Sequence, residues 1–246
     1  MKTTKTIFQD GNHKWVAIVR DPEKPNHLID TNEYLVTHGG QGLLLDPSGA
    51  GVFPAVFSAL SAEFDPSALT AIFSSHQDPD VCSSLALWLE FNPKMRCYVS
   101  WLWAGFIPHF GGSAETFVSM PDEGIDISLD GLVLKSVPAH YLHSSGNFHL
   151  YDKVAKVLFS GDEGAALLPA GGDGLFVDNF DKHIRHAEGF HRRWMGSNEA
   201  KRRWCERVSQ MDIDMLCPQH GAIYQGADVQ RFINWFDGLQ VGICGG

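Results

Sequence analysis

A short polar string, His76-Gln77-Asp78-Pro79-Asp80, contains the residue types and spacing best suited to chemistry in this sequence. It follows the apolar run 71–73, which predicts a β-strand. Alternate residues of an extended segment point the same way, so His76, Asp78 and Asp80 can project into one pocket. Three such groups this close favour a metal ion, because carboxylates without a cation between them repel one another. The alternative is a solvated polar loop in which Asp80 caps the following helix.

Three further strings place a histidine or an aspartate at the end of a predicted strand or between two predicted strands. They are Leu142-His143-Ser144-Ser145-Gly146, Phe159-Ser160-Gly161-Asp162 and Cys217-Pro218-Gln219-His220-Gly221. Each of these strings by itself is compatible with an ordinary turn.

Taken in this order, the four strings resemble the metallo-β-lactamase superfamily, whose binuclear site is assembled from four such loops. Hydrolases of that fold usually carry HxHxDH and flavodiiron domains carry HxExDH, whereas this sequence reads His76-x-Asp78-x-Asp80-Val81. The strings AHYLHSSGNFHLYD, LFSGD, EGFHRRWMGSN and PQHGAIY are also similar to the di-iron domain of flavodiiron proteins, and particularly to stand-alone oxygen-binding di-iron proteins. The resemblance extends from about Asp30 to beyond His220.

The resemblance implies ligands for two metal ions. For the first metal they are His76, Asp78, His143 and the bridging Asp162. For the second metal they are Asp80, Asp162 and His220. Val81 departs from the family pattern, because members with the full motif have a metal-binding histidine at that position and valine cannot bind a metal. The second site would therefore be under-coordinated and open to a small ligand.

The composition of this ligand set bears on the metal. Three imidazoles with three carboxylates are harder and more anionic than the five-histidine sites typical of zinc hydrolases, and such mixed sets suit iron or manganese. We therefore expect two iron ions (Fe2+/Fe3+) with a bridging oxygen species, with zinc and manganese as alternative metals. We expect no FMN, because no segment resembling a flavodoxin domain is present.

Three residues beside these strings are candidates to line the site without binding metal: His140, Tyr141 and His191. His140 precedes His143 by three residues, so on an extended segment it points to the opposite face. Tyr141 could donate a hydrogen bond to a bound oxygen species. His191 recurs at roughly helical spacing with two other histidines, for which a solvated helical face is the default: His183 and His186. The remaining histidines show no convergent pattern and are expected to be ordinary structural or surface residues: His13, His27, His38, His109 and His149.

The elements that must position these residues alternate between strands and helices in two successive halves. The first half predicts strands at 15–19, 33–36, 43–45, 71–73 and 96–100 and helices at 51–64, 81–90 and 101–110. The second predicts strands at 132–137, 148–151, 157–159 and 215–217, a glycine-rich loop over 161–174, and helices over 180–211 and 227–238, the first divided at Gly189 and Gly196. This order indicates an α/β fold. The resemblance implies a four-layer αββα sandwich in a single domain over 1–246, without a flavodoxin domain.

Composition excludes several classes of protein. With 246 residues, of which 44% are apolar and 20% charged, the chain can bury a sizeable core. A formal net charge of −10 argues against binding to nucleic acid or to an anionic membrane. No apolar run approaches about 18 residues and residues 1–15 lack the apolar stretch of a secretory signal, so we expect neither a membrane span nor such a signal. Its five cysteines lack CxxC spacing, so we expect no disulfide framework, mostly buried thiols and a cytoplasmic location.

The functional hypothesis from the sequence is a binuclear iron protein that binds dioxygen as a ferric-peroxo type adduct and acts as an oxygen sensor or carrier. One alternative is an oxygen or nitric oxide reductase supplied with electrons by a separate donor protein, which leaves open whether the chain is an enzyme. Another is a binuclear zinc hydrolase of an ester, lactone or phosphodiester. The last is a binding module with a structural metal.

Partners are expected on the same grounds. They are dioxygen and a signalling or electron-donor protein, and the resemblance implies a homodimer. The basic strings Arg192-Arg193 and Lys201-Arg202-Arg203 are interpreted as a solvated helix face, with a docking patch for an acidic protein as the alternative.

Overall fold

The computed structural model describes residues 2–21, 28–169 and 174–244. The chain divides into two compact units, residues 1–135 and residues 136–246. His27 and part of the predicted glycine-rich loop lie outside the described residues.

In the described part of unit 1, seven strands form one sheet in sequence order. The first four pair antiparallel: β1 (Thr4–Asp10), β2 (His13–Ile18), β3 (Glu33–His38) and β4 (Gln41–Leu45). The last three continue the sheet in parallel: β5 (Leu69–Phe73), β6 (Arg96–Ser100) and β7 (Phe117–Met120). Parallel neighbours need long crossover connections. The connections from β4 to β5 and from β5 to β6 carry the α-helices of this unit.

Helix α1 (Phe53–Glu63) forms the first crossover and begins with a proline in its first turn, where the missing N–H costs no hydrogen bond. Two short helices, α2 (Pro79–Cys82) and α3 (Leu85–Phe91), form the second crossover. Their apolar residues pack into one buried cluster with β2, β4, β5 and β6, and the cluster includes the fully buried Trp88. The indole N–H of Trp88 donates to the Pro47 carbonyl at 3.1 Å, so its polar atom is satisfied inside the core.

Unit 1 ends in a hairpin of β8 (Asp126–Leu129) and β9 (Leu132–Pro138), and β9 runs across the boundary between the units. In unit 2 the strand order is β13 (Tyr224–Gln225), β12 (Met215–Pro218), β11 (Val157–Gly161) and β10 (Phe148–Asp152). The pair β11–β12 is parallel and the other two pairs are antiparallel.

Three helices complete the described part of unit 2: α4 (Phe180–Trp194), α5 (Asn198–Val208) and α6 (Ala227–Gly238). Side chains cap α4 and α5, since Asn179 accepts from the Lys182 N–H and Ser197 accepts from the Ala200 N–H. The buried cluster of this unit is rich in aromatic rings, among them Trp204, Tyr224, Phe232 and Phe236.

Several element predictions differ from the structure. The predicted helix 101–110 consists of turns followed by a short 3-10 helix (Ile107–Phe110), in a segment that contains Gly105 and Pro108. The predicted helix 81–90 is split into α2 and α3. Gly189 lies inside α4, so the long helical segment breaks at Gly196 alone. The pattern missed β1, β7, β8 and β13.

The prediction of mostly buried thiols without a disulfide framework is confirmed. All five cysteines are free, and every one except Cys244 is buried. Burial raises the pKa of the Cys97 and Cys205 thiols to about 12. None of the helices among the described residues has both the length and the apolar character that crossing a membrane requires.

Candidate metal centre

In unit 1 the first predicted metal loop comes directly after β5. His76 is buried, and its Nε2 lies 3.7 Å from Oδ2 of the partly exposed Asp78. Asp78 is also the residue before α2, and Asp80 lies in the first turn of that helix. The Asp78 side chain caps no backbone N–H of α2, so its carboxylate is directed elsewhere. The loop therefore brings a histidine and a carboxylate to the end of one buried strand.

A chain of hydrogen bonds orients His76 from behind. The Ser75 hydroxyl donates to Asp46 Oδ2 at 2.6 Å, and the Ser75 backbone N–H donates to Asp46 Oδ1 at 2.7 Å. Because its proton is given to Asp46, the Ser75 oxygen accepts from Nδ1 of His76, at 2.8 Å. This assigns the proton of a neutral His76 to Nδ1 and leaves the lone pair of Nε2 available for the predicted metal. Asp46 and Ser75 are functional candidates that the sequence interpretation missed, although Asp46 ends a strand as Asp162 does.

In unit 2, three predicted ligands converge, with two histidines facing one carboxylate. His143 Nε2 lies 2.9 Å from Asp162 Oδ2, and His220 Nε2 lies 3.3 Å from Asp162 Oδ1. Each oxygen of Asp162 therefore faces a different imidazole nitrogen. This is the arrangement expected of a carboxylate that bridges two cations, each with its own histidine.

The sheet of unit 2 explains why Asp162 and His220 meet. They come after β11 and β12, which are parallel neighbours, so both strands end at the same edge of the sheet. The Gln219 N–H donates to the Gly161 carbonyl at 2.7 Å and fixes the two loops to each other. Gly221 has φ +88°, and a Cβ there would lie 2.9–3.0 Å from atoms of Ala166, so glycine is required after His220.

A buried polar network lies behind Asp162 and His143. The Trp204 indole N–H donates to His149 Nδ1 at 3.1 Å, so His149 carries its proton on Nε2 and donates it to Glu163 Oε2 at 2.6 Å. Asn147 Nδ2 donates both to Glu163 and to the Leu142 carbonyl, just before His143. Burial, with the nearby charge of Asp162, raises the pKa of Glu163 well above its usual value.

The sequence predicted an ordinary structural or surface role for His149, and the structure shows a structural one. Its imidazole is completely buried and joins Trp204 of α5 to Glu163, the neighbour of Asp162. Glu163 is the sequence feature that could have indicated this network. It is a second acidic residue directly after Asp162, at the end of a strand with a buried apolar pattern.

The solvated helical face predicted for the histidines of α4 is also wrong for two of them, because His183 and His191 are buried. His191 Nδ1 donates to the Ala187 carbonyl at 2.8 Å, and His191 Nε2 accepts the Gly164 N–H at 3.1 Å. Burial lowers the pKa of His191 to about 4. His191 thus supports the loop after Asp162 as a neutral imidazole.

The other two candidates beside the ligands also lie in unit 2. His140 is partly buried, with its ring 5.0 Å from that of Phe148. Tyr141 is 58% exposed, and its backbone carbonyl accepts the Gly196 N–H at 3.4 Å. Both residues therefore lie next to His143 in sequence and in space. Their roles at the site stay predictions.

Known proteins were compared with the whole chain. The family model described as "ODP family beta lactamase" matches residues 29–221, a range that contains all six predicted ligands. The chain belongs to the ODP family. Its α/β fold is accordingly of the metallo-β-lactamase type, as the resemblance implied. No match was found among curated proteins.

Two solved ODP structures resemble this ODP-family chain over almost its full length. One, described as the "peroxy diiron species of chemotaxis sensor ODP", is 40% identical, with a TM-score of 0.88 over 98% of this chain and 96% of that chain. The other, the apo state of chemotaxis sensor ODP from T. denticola, is 39% identical with the same TM-score and coverage. A mutant flavo di-iron protein from Thermotoga maritima is 24% identical, with a TM-score of 0.82 over 96% of this chain and 61% of that one, and supports the fold alone.

The residues present fit a di-iron group. The predicted set offers imidazole nitrogens and carboxylate oxygens without thiolates, which suits iron. All the cysteines of this ODP-family chain are described, and none of them is among the predicted ligands. Ser75 orients the imidazole of His76, and each carboxylate oxygen of Asp162 faces a different histidine. A di-iron group requires ligands that are oriented in this way.

Proposed function

We propose that this protein binds dioxygen at a di-iron centre and acts as an oxygen sensor. The observation that carries the proposal is the match, at 40% identity over 98% of the chain, to a chemotaxis sensor whose structure is described as a peroxy diiron species. When bound, a pair of ferrous ions supplies the electrons that dioxygen takes up.

We assign the ligands as the sequence predicted them, with Asp162 as the bridging carboxylate: His76, Asp78, Asp80, His143, Asp162 and His220. Two distances within unit 2 support the bridging assignment, 2.9 Å and 3.3 Å from its two oxygens to two different histidines. Asp46 and Ser75 orient His76, and Asn147 with Glu163 supports the loop that carries His143. Asp162 and His220 are both buried, which limits the access of bulk water to these groups.

The test is anaerobic reconstitution with ferrous iron, followed by a metal count and then by admission of oxygen. We expect two irons per chain and a visible absorption band that appears on oxygenation and persists without an electron donor. Asp162→Asn should lose most of the bound iron, since a neutral amide cannot bridge two cations as a carboxylate does.

The same experiment separates the alternatives. A band that decays only when a reductant is added, with multiple turnovers, would indicate a reductase served by a donor protein. Zinc at two ions per chain together with esterase or phosphodiesterase activity would contradict the oxygen-binding proposal. We further propose a homodimer and a signalling partner, and a cytoplasmic location supported by the free state of all five cysteines. The mass in solution, measured by light scattering, tests the dimer.

A further inference from the structure

A cavity of about 350 Å³ lies in unit 2 between the segment 138–141 and helix α5. Trp204 and Ala200 of α5 line it, and Tyr141 and His140 line it from the other side. Ligand sites in proteins are usually concave, a few hundred Å³ in volume, and mix apolar walls with a few polar groups. This cavity has those features and contains none of the assigned metal ligands.

Two arginines of α5, one helical turn apart, give the cavity a basic character: Arg203 and Arg207. Arg207 donates to the Pro138 carbonyl, which fixes its guanidinium across the cavity, and Arg203 pairs with Glu199. Each guanidinium carries five N–H donors in a planar fork, and these two contacts use one donor of each. Two arginines against one glutamate leave a local positive charge on a protein whose net charge is −10.

We propose that this cavity binds a carboxylate side chain from an acidic segment of a partner protein. The arginine fork matches a carboxylate in shape and charge, and Arg203 already holds one in Glu199. Arg203 and Tyr141 are largely exposed, at 71% and 58%, so they can contact a surface larger than the cavity. Tyrosine, tryptophan and arginine are the residues that most often dominate binding energy at protein interfaces.

The cavity is connected to the loops of the assigned metal ligands. Tyr141 lies two residues before His143 in the same loop. A chain of hydrogen bonds runs from Trp204 through His149 to Glu163, the neighbour of Asp162. A partner seated here would touch the segment that leads directly into the loop of His143. That this partner receives an oxygen signal rests on the proposed function, whereas carboxylate recognition by the cavity does not.

The test uses the full chain and a fluorescein-labelled glutamate-rich peptide, with the same peptide in glutamine form as the reference. Fluorescence anisotropy should show that the acidic peptide binds and its glutamine form does not. We expect Arg203→Ala and Arg207→Ala each to weaken binding by about 10-fold or more, because each removes a charge-assisted hydrogen bond. Glu199→Gln should tighten binding a few-fold, since it releases Arg203 from its internal carboxylate.

Arg202→Ala is the matched control. Arg202 is on the same helix and is 59% exposed, but it does not line the cavity and lies 4.0 Å from Glu206. Its removal should change affinity less than about two-fold, as expected for screened surface charge. An equal loss in Arg202→Ala would mean that general attraction, not the cavity, holds the peptide, and would overturn the proposal.

Two further measurements decide the occupant and its relation to oxygen. Displacement of the peptide by succinate at comparable concentration would overturn the proposal in favour of a small dicarboxylate. Peptide binding by metal-free protein, with the stated arginine dependence, supports the cavity even if the iron-loaded protein fails to bind oxygen, so the two failures are distinguishable. A change in peptide affinity when oxygen is admitted to the iron-loaded protein supports the signalling role of the partner.

Discussion

Among single residues, Ser75 determines which imidazole nitrogen of the proposed ligand His76 is available to a metal. The Ser75 hydroxyl donates its proton to the buried Asp46, so toward His76 Nδ1 its oxygen can only accept a hydrogen bond. Such partners of a ligating histidine typically account for about 10- to 100-fold in metal affinity.

Ser75→Ala should therefore lower the affinity for ferrous iron by roughly 10- to 100-fold, because His76 loses its orienting partner. Competition with a chromophoric chelator under anaerobic conditions measures this change. Ser61→Ala is the control, since the Ser61 hydroxyl donates only to the Phe57 carbonyl on the exposed side of α1. Equal affinities of the two variants would contradict the orienting role.

His191 illustrates a histidine whose role requires it to be neutral. It accepts the Gly164 N–H on Nε2, so a proton there would break that bond, and burial lowers its pKa from 6.5 to about 4. Between pH 6.5, the pKa of His191 in the unfolded chain, and pH 4, the unfolded chain binds a proton at His191 that the folded chain does not bind. The stability due to neutral His191 is present above pH 6.5 and is lost as the pH falls toward 4.

We expect the free energy of unfolding of the metal-free protein to fall more steeply between pH 6.5 and 4 than that of His191→Gln, which does not titrate. A shift of this size corresponds to about 3 kcal/mol across the window. Urea unfolding at several pH values measures it. His186→Gln, an exposed histidine of the same helix, should keep the wild-type slope.

Among the elements, the short helix α2 determines where the Val81 side chain lies, directly after the first predicted metal loop. Its residue Val81 is completely buried and packs in the apolar cluster of unit 1 with Cys82 and Leu85. The position at which the sequence lacks a family ligand is thus filled by a core side chain. Whether a histidine there can bind metal depends on whether the gain exceeds the loss of packing.

Val81→His should destabilise the metal-free protein by about 1–3 kcal/mol, because it buries an imidazole among apolar side chains. We expect iron to restore much of this stability, to bind more tightly at the second site and to alter the persistence of the oxygen adduct. Val56→His, in the same cluster, should show the loss without recovery. Thermal unfolding with and without iron makes the comparison, and an absence of recovery in Val81→His would count against the gap as a ligand position.

At the scale of the whole molecule, burial lowers the reactivity of four of the five thiols. Cys82, Cys97, Cys205 and Cys217 are buried, and burial raises the pKa of each of these thiols, whereas Cys244 is exposed. Because the thiolate is the reactive form, these four should be inert while the fold is intact.

We expect a thiol reagent such as DTNB to modify one cysteine per chain under native conditions and all five in guanidinium chloride. Cys244→Ser should leave no fast-reacting thiol in the native protein. Fast modification of a second cysteine in that variant would show that a unit opens more readily than its buried cluster suggests.

Local sequence patterns were enough to identify the strands that end in the proposed ligands and the donor atoms that those residues offer. The strands β5, β11 and β12 have the pattern of buried apolar runs. A histidine or an aspartate directly after such a strand indicates function, because its polar atoms need a hydrogen-bond partner or a metal ion. The family and its four-layer fold were predicted from the resemblance that these strings carry, whereas the mostly buried, free cysteines were predicted from their number and spacing.

Except for His191, which the sequence had already named as a candidate, the polar residues that support those ligands were identified only from the tertiary structure. Asp46 and Ser75 are 29 residues apart, and Trp204 and His149 are 55 apart, so no periodicity links them. His191 has the spacing of an exposed helical face, yet the packing of α4 buries it. Burial and long-range hydrogen bonds depend on how elements pack, and packing is a property of the whole chain that local sequence patterns do not contain.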